Sequence, residues 1–544
     1  MAVADNPHAQ YFIHFDERGS AYHALGYARA TGEIAAVITT SGTAVANLLP
    51  AVCEAHRDDV PLILLTADRP PELIDTEANQ TLDQRGIFGS QVRLTLDLPC
   101  PTNEIADDFL TSTIDWIVTT AVQDQGPVHL NCRYRKPLFP PPDLGDAGST
   151  SRTDCREENR VTVRMQRAQI DSAVVSKIGR RLREAPSGLL VIGRLARPDQ
   201  QDAVMRLAEE LHWPVLADIT SGLRLGNPVT TARPYYDLLL AADENVLGTD
   251  PGLVLHLGGR IVSSRLQKAL SNPSVKPRIR VDEQDRRGDQ DHDTCERYTG
   301  DITRFCHDLA ELVAAQQKSP SPNSAADETK ALSTIIDAGQ GDDDAPTGLS
   351  LARLVTRHID QHAGLYLGNS LAVRDVNSVA ATDGPPVRVA CNRGVSGIDG
   401  TVASAAGFCR GLGQPVTVLL GDLALLHDLN SLAMLTRLPH PVTVIVSNND
   451  GGGIFGQLPI REHHAVFEEF FTTPHGFDFR AAAEQFNLEY WRPTTNSEFV
   501  DAYHQAQQGP SSSLIEVTTD NDDQRQHHRD LVKAIAQALP DWRE

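Results

Sequence analysis

The chain has 544 residues, with 49 basic against 72 acidic side chains and a formal net charge of −23. That length argues for roughly three to four structural units, and the acidity excludes the basic face that a nucleic-acid partner needs. No apolar run approaches the ~20 residues that span a bilayer. The start, MAVADNPHAQYF, lacks the charged-then-apolar order of a signal peptide. The eight cysteines form no C-x-x-C pair, so neither a zinc site nor a disulfide framework is expected. Acidic residues are spread along the chain, as on the solvated surface of a protein adapted to a salt-rich cytoplasm. The expectation is a cytoplasmic protein without membrane insertion.

Residues 1–136 read as α/β, with buried strands at 35–37, 62–65 and 128–130 and a helical stretch over 42–56. Within them HFDERGSAYHALG (14–26) sets Glu17 beside an apolar helical face; taken alone, Glu17 is a solvated residue near a helix start. TADRPPELIDTEANQ (66–80) follows a strand, which places Arg69, Asn79 and Gln80 at its C-terminal edge, where sites gather. A structural salt bridge is the alternative for Arg69. Residues 137–160 are rich in Pro, Gly, Ser and charge, as in a linker. Residues 161–315 alternate again, with strands at 189–193, 214–218, 253–259 and 278–282 and a helix over 200–212. The Gly193 and Gly258-Gly259 turns are not followed by GxGxxG, so this domain reads as structural or substrate-lining. Residues 316–348 read as a second, mobile linker.

Residues 349–544 are the richest. LYLGNSLAVR (365–374) predicts a strand and then a helix start with Ser370 and Arg374. CNRGVSGIDG (391–400) is a glycine-dense loop carrying Arg393 and Ile398, whose backbone N–H groups could approach an anion. Val416–Leu420 predicts a strand ending at Gly421-Asp422. A helix follows with Leu429, Leu432, Leu435 and Leu438 on one face, and then a strand over 442–446 ending at Asn448-Asn449. In a right-handed βαβ unit these strands are parallel, so Asp422 and Asn449 lie side by side at their C-terminal ends. A carboxylate, an amide oxygen and the carbonyls of the following glycine loop are hard oxygen donors, suited to Mg²⁺ or Mn²⁺. The last strand spans 513–520, followed by a charged surface loop with solvent-facing His527 and His528 and an amphipathic helix.

Gly-Asp, a helix, then Asn-Asn resembles the diphosphate-and-magnesium motif of thiamin-diphosphate (thiamine pyrophosphate) enzymes. HFDERGSAYHALG, TADRPPELID, GNSLAVR, NRGVSGIDG, GDLALLHDLN, NNDGGGIF and TPHGFDF together resemble one family, the 2-succinyl-5-enolpyruvyl-6-hydroxy-3-cyclohexene-1-carboxylate synthases of menaquinone biosynthesis. The resemblance covers nearly the whole chain. It implies three doubly wound α/β domains with parallel sheets: pyrimidine-binding over 1–136, central over 161–315 and diphosphate-binding over 349–544. It implies decarboxylation of 2-oxoglutarate on thiamin diphosphate and 1,4-addition of the succinyl-semialdehyde carbanion to isochorismate. Glu17 matches the glutamate at N1′ of the aminopyrimidine. Asp422, Asn449 and the Gly451 carbonyl match the metal ligands, and Gly421, Leu423, Ile398, Ile454 and Phe455 match other cofactor contacts. Arg69, Asn79, Gln80, Ser370, Arg374 and Arg393 match substrate-binding positions, and a planar guanidinium suits the two carboxylates of each substrate. A homodimer or homotetramer with active sites at the subunit interface is implied.

The chain departs from the family pattern in two places. A strand and a Ser-Pro-Gly-Ser-Arg loop precede the glutamate in the family, whereas sixteen residues precede Glu17 here. The first domain is therefore expected to lack its N-terminal strand, as from a late start or a fragment. A basic residue of the central domain is replaced by Ser264, with Arg260 and Arg265 nearby. Two other readings stay open at this level: a different thiamin-diphosphate 2-oxoacid decarboxylase or carboligase, and a catalytically inactive truncated homologue.

Overall fold

The computed structural model describes residues 3, 4, 6–138, 167–226, 229–246, 252–272, 275, 277–288, 290, 292, 296–314 and 324–538. Three sheets, parallel throughout, organise them. The first contains β1 (Ala35–Thr39), β2 (Leu62–Asp68), β3 (Thr95–Leu98) and β4 (Pro127–Arg133) in the order β1-β2-β4-β3. The second contains β5 (Leu189–Ile192), β6 (Val215–Ala217), β7 (Val254–Leu257), β8 (Arg278–Asp282) and β9 (Glu296–Thr299), ordered β6-β5-β7-β8-β9. The third contains β10 (Gly364–Leu367), β11 (Val389–Cys391), β12 (Val416–Gly421), β13 (Val442–Asn448), β14 (Glu489–Trp491) and β15 (Ser513–Thr518), ordered β11-β10-β12-β13-β15-β14. Strands such as β5, β12 and β13 are buried on both faces, which is why they read as unbroken apolar runs. The edge strands β3 and β9 carry Asp97, Glu296 and Arg297 among their few residues, and so gave no apolar signal.

The chain forms two compact units. One holds Met1–Met165, Asn392–Gly413 and His427–Pro439; the other holds Gln166–Cys391, Gln414–Leu426 and His440–Glu544. In the first, the helix Glu17–Thr31 crosses the helix Thr401–Leu412 so closely that glycine is required at the contact. A Cβ on Gly26 would stand 1.8 Å from the Ser404 carbonyl oxygen, and one on Gly407 would stand 1.9 Å from that of His23. The second unit is built around a cluster that includes Ile219, Leu238, Leu351, Leu365, Ile445 and Phe499. Among the described residues no helix is long and apolar enough to cross a membrane.

The 137–160 linker lies outside the described residues from 139 onward. Other expectations need correction. The 316–348 stretch, read as a mobile linker, carries the helix Ser324–Ala338, whose Leu332 and Ile336 belong to the core of the second unit. Its Asp337 grips the fully buried Arg353 through Nε at 2.9 Å and Nη2 at 3.1 Å. Flanking Ser, Pro, Gly and Asp residues masked that amphipathic core from a compositional reading.

The helix expected to carry Leu429 through Leu438 is broken. A helix Asp422–His427 starts directly on the strand end, followed by a 3₁₀ turn Leu429–Ser431 and a short helix Leu432–Leu435. Asp428 interrupts it: its buried carboxylate accepts the Ser431 hydroxyl at 2.6 Å and the Ala403 N–H at 2.9 Å, competing with helix continuation. The expected surface loop after residue 520 is the start of the helix Asn521–Ala538. His527 and His528 are half-buried rather than solvent-facing. His527 Nδ1 lies 2.9 Å from the Thr347 hydroxyl, and burial lowers the pKa of both rings.

Candidate functional site

The strand order of the third sheet reverses between β10 and β12, with β11 on one side and β13 and β15 on the other. Such a switch point opens a crevice at the C-terminal strand ends, where ligands bind. Ser370 and Arg374 follow β10, while Gly421, Asp422 and Leu423 close β12 and Asn449 and Gly451 follow β13. Ser370 sits at φ 68°, a conformation that costs backbone energy for a residue with a Cβ, and Arg374 Nη1 donates to its carbonyl at 2.5 Å.

Asp422 is 1% exposed. Its Oδ1 accepts the Leu423 N–H at 2.6 Å and its Oδ2 accepts the Gly451 N–H at 2.9 Å. His475 Nε2 lies 3.2 Å from Oδ2. The Phe477 N–H donates to His475 Nδ1 at 2.9 Å, so in the neutral ring Nε2 carries the proton and donates to Asp422. Burial raises the Asp422 carboxyl pKa above its ordinary value, against the pull of these N–H donors. Asn449 Oδ1 lies 2.8 Å from the Gly451 carbonyl oxygen and 3.3 Å from Asp422 Oδ2.

Asn449 Oδ1 thus faces two other acceptors with no hydrogen between it and either, an arrangement that is repulsive until a cation joins it. Neighbouring ligands of an octahedral Mg²⁺, at ~2.1 Å from the ion, stand about 3 Å apart. The donor set therefore fits a hard divalent cation. Among the described residues no group of three His, Cys, Asp or Glu side chains converges as a softer site would. Gly451 reaches this position at φ 127°, where an added Cβ would stand 2.0 Å from the Thr472 carbonyl oxygen. Ile454 and Phe455 follow in the 3₁₀ turn Gly453–Gln457, half-buried, with Phe455 edge-on to Phe471 at 5.7 Å.

In the first unit Glu17 opens its helix, capped by Asp16, whose Oδ1 accepts the Arg18 N–H at 2.9 Å and whose Oδ2 accepts Asn430 Nδ2 at 2.6 Å. The Glu17 side chain is half-buried and has no hydrogen bond or ion pair among the described residues. The 392–400 loop, with Arg393 and Ile398, is held by buried groups. Glu54, 1% exposed, accepts the N–H groups of Gly394 at 2.7 Å and Val395 at 2.8 Å and pairs with Arg29 at 2.8 Å. Burial, and Asp58 beside it, raise the Glu54 pKa. The Tyr22 hydroxyl donates to Asp399 at 2.9 Å.

Arg69 follows β2 and donates from Nε and Nη2 to the Asn79 carbonyl at 3.3 and 3.1 Å. Gln80 Nε2 donates to the Thr40 hydroxyl and the Ser41 carbonyl, each at 3.0 Å. Arg69, Asn79 and Gln80 are thereby brought together. Arg69, Arg374 and Arg393 each follow the C-terminal end of a parallel strand: β2, β10 and β11. In the central domain Ser264 opens a helix, and the neighbouring Arg265 is committed to the buried carboxylate of Asp237 at 2.7 Å.

Sequence reading passed over His475, Glu54, Tyr22, Asp399 and Asn521 as individual residues. A signal existed for Asn521. It stands just past the end of β15, which neighbours β13, so the strand-end rule that picked out Asp422 and Asn449 reaches it too.

Residues 1–87 match the model of the thiamine pyrophosphate enzyme N-terminal TPP-binding domain, 158–366 that of the middle domain, and 381–517 that of the C-terminal TPP-binding domain. The chain is 45% identical to a 2-succinyl-5-enolpyruvyl-6-hydroxy-3-cyclohexene-1-carboxylate synthase from Rubrobacter xylanophilus, over 98% of this chain and 93% of that one. It is 41% identical to the synthase of the same name from Salinibacter ruber, over 99% and 92%. Benzoylformate decarboxylase from Polynucleobacter necessarius shares the fold, with a TM-score of 0.71 at 16% identity over 95% of this chain and 92% of that one.

Proposed function

The chain belongs to the 2-succinyl-5-enolpyruvyl-6-hydroxy-3-cyclohexene-1-carboxylate synthase family of thiamine-pyrophosphate enzymes, and on that premise we propose that it decarboxylates 2-oxoglutarate and joins the remaining four-carbon unit to isochorismate by 1,4-addition, in menaquinone biosynthesis. It is a thiamine-pyrophosphate-dependent enzyme of the transferase type. When bound, the cofactor supplies the electron sink that lets a 2-oxo acid lose CO₂.

The observation that supports the site assignment is the Asn449 amide oxygen facing the Gly451 carbonyl and the Asp422 carboxylate. These residues would hold Mg²⁺ or Mn²⁺, with Gly421 and Leu423 beside the diphosphate. Glu17, a carboxylate with no hydrogen bond or ion pair among the described residues, is suited to hold a proton at N1′ of the aminopyrimidine. Ile398, Ile454 and Phe455 offer half-buried apolar surface to the cofactor. Arg69, Arg374 and Arg393 would grip the substrate carboxylates in charge-assisted pairs, with Ser370, Asn79 and Gln80 as polar neighbours.

The same reading includes a homodimer or homotetramer and a cytoplasmic location, and the charge of −23 supports activity in high salt. The test is incubation of purified protein with 2-oxoglutarate, isochorismate, thiamin diphosphate and Mg²⁺. The proposal expects isochorismate to be consumed together with 2-oxoglutarate. Release of succinic semialdehyde at a rate indifferent to isochorismate would instead identify a plain decarboxylase.

A further inference from the structure

Asn449 decides the character of the oxygen cluster, because an amide has two faces. With Oδ1 toward Gly451 and Asp422 it adds a third ligand. Turned by 180°, it would place Nδ2 there, donating to the Gly451 carbonyl at 2.8 Å and to Asp422 Oδ2 at 3.3 Å, and would block the site with its own hydrogens. Within the cluster alone, the turned amide is the better hydrogen-bonded one.

What opposes the turn is Asn521. Its Oδ1 accepts Asn449 Nδ2 at 2.9 Å, and its Nδ2 donates to the Asn449 backbone carbonyl at 3.1 Å. Turning Asn449 alone would set two amide oxygens 2.9 Å apart. Turning Asn521 as well would set its oxygen against the Asn449 carbonyl. The two bonds therefore oppose a turn of either amide, and a cation on Asn449 Oδ1 would act together with them, because without one the acceptors around that oxygen favour the turn.

The loop makes room for this pair. A Cβ on Gly453 would stand 2.2 Å from Asn449 Nδ2 and 2.2 Å from Asn521 Oδ1. Asn521 is carried on the end of β15 as the first residue of the helix Asn521–Ala538, so its backbone is fixed by the same sheet that fixes Asp422 and Asn449.

We propose that Asn521 is a positioning residue for the divalent cation: by holding Asn449 Nδ2 it presents Asn449 Oδ1 to the ion. This rests on the reading of Asp422, Asn449 and the Gly451 carbonyl as the cation ligands. Outer partners of metal ligands typically change metal affinity about 10- to 100-fold when removed.

The test measures Mn²⁺ binding to the full-length protein by the loss of its free-ion paramagnetic resonance signal, with thiamin diphosphate present. Asn521→Leu, close in volume but unable to accept, is expected to weaken Mn²⁺ at least about tenfold. Asn521→Asp, which keeps the acceptor for Asn449 Nδ2 but loses the donor to the Asn449 carbonyl, is expected to lose less Mn²⁺ affinity than Asn521→Leu. Equal loss in both variants would show that the acceptor is not what counts and would overturn the proposal, as would an unchanged Kd in Asn521→Leu. Should Asn521→Leu fail to fold, Gly453→Ala disturbs the same pair with Asn521 intact. Weakened Mn²⁺ supports the proposal, and parental affinity contradicts it. Asp422→Ala separates the two claims: its binding Mn²⁺ as the parent does would remove the ligand assignment itself. Its loss of binding beside an unaffected Asn521→Leu would remove only the role of Asn521.

Discussion

The loop after β11 and the loop after β13 are both rich in glycine and both leave the end of a parallel strand, yet their polar groups are satisfied in opposite ways. In the 392–400 loop the Gly394 and Val395 N–H groups end on the buried carboxylate of Glu54, and Asp399 takes the Tyr22 hydroxyl. That loop is completed by the protein and presents Arg393. In the 449–453 loop the Asn449 amide oxygen faces the Gly451 carbonyl and the Asp422 carboxylate, acceptor against acceptor. On the reading proposed above, that loop would be completed by a cation. Glycine content therefore does not reveal which loop binds a cation; what does is a cluster of like groups held together by secondary contacts.

Mutations can break this comparison. The largest effect is expected from Asp422→Ala, with Mg²⁺-dependent binding of thiamin diphosphate, measured calorimetrically, falling on the order of 100-fold or more. Glu17→Gln is expected to lower turnover by about 10²–10⁴-fold, the usual worth of a general acid–base group, while leaving cofactor affinity within a few-fold. Turnover retained in that variant would remove Glu17 from the mechanism.

On the completed loop the effect should be one of stability. Glu54→Gln removes one of the two carboxylate charges facing Arg29, Asp58 being the other at 2.7 Å, and weakens the acceptors of the Gly394 and Val395 N–H groups; it is expected to cost about 2 kcal/mol in urea unfolding. A cost as small as that of a surface change would mean that Glu54 does not organise the loop. In the second unit, Leu332→Ala is expected to cost about 2–3 kcal/mol, because it empties part of a packed core. No loss would return residues 324–338 to the status of a linker.

The smallest effect concerns pH. Burial lowers the folded-state pKa of His23 to about 3 and of His129 to about 4, against the ordinary 6.5. Between those values the unfolded chain takes up protons that the native protein does not, so stability falls as pH drops below about 6.5. The expected loss from pH 7 to 5.5 is about 1 kcal/mol for each histidine. His129→Gln, which keeps a donor toward Thr66, should lose its share of that dependence. An unchanged pH dependence would contradict the assignment.

Much of this was legible in the sequence, and for identifiable reasons. β12 and β13 are buried on both faces, so their apolar runs stood out, and parallel pairing then placed Asp422 and Asn449 together. The resemblance of whole motifs supplied the family, which the similarity to curated synthases bears out. What was hidden depends on contacts distant in sequence. Glu54 is an ordinary helical glutamate until Gly394 and Val395 reach it across 340 and 341 positions. Asn521 gains its role from Asn449, 72 positions away. The helix Ser324–Ala338 was masked by its flanks, and the break at Asp428 by a leucine spacing that suited one continuous helix.

The central claim is that a cation completes the oxygen cluster, and anomalous diffraction from crystals grown with Mn²⁺ and thiamin diphosphate tests it most directly. The account predicts a strong anomalous peak bounded by Asp422, Asn449 Oδ1 and the Gly451 carbonyl, with the Asn449–Asn521 pair intact. An anomalous peak elsewhere, or an Asn449 amide turned to donate into the cluster while Mn²⁺ is bound, would contradict it.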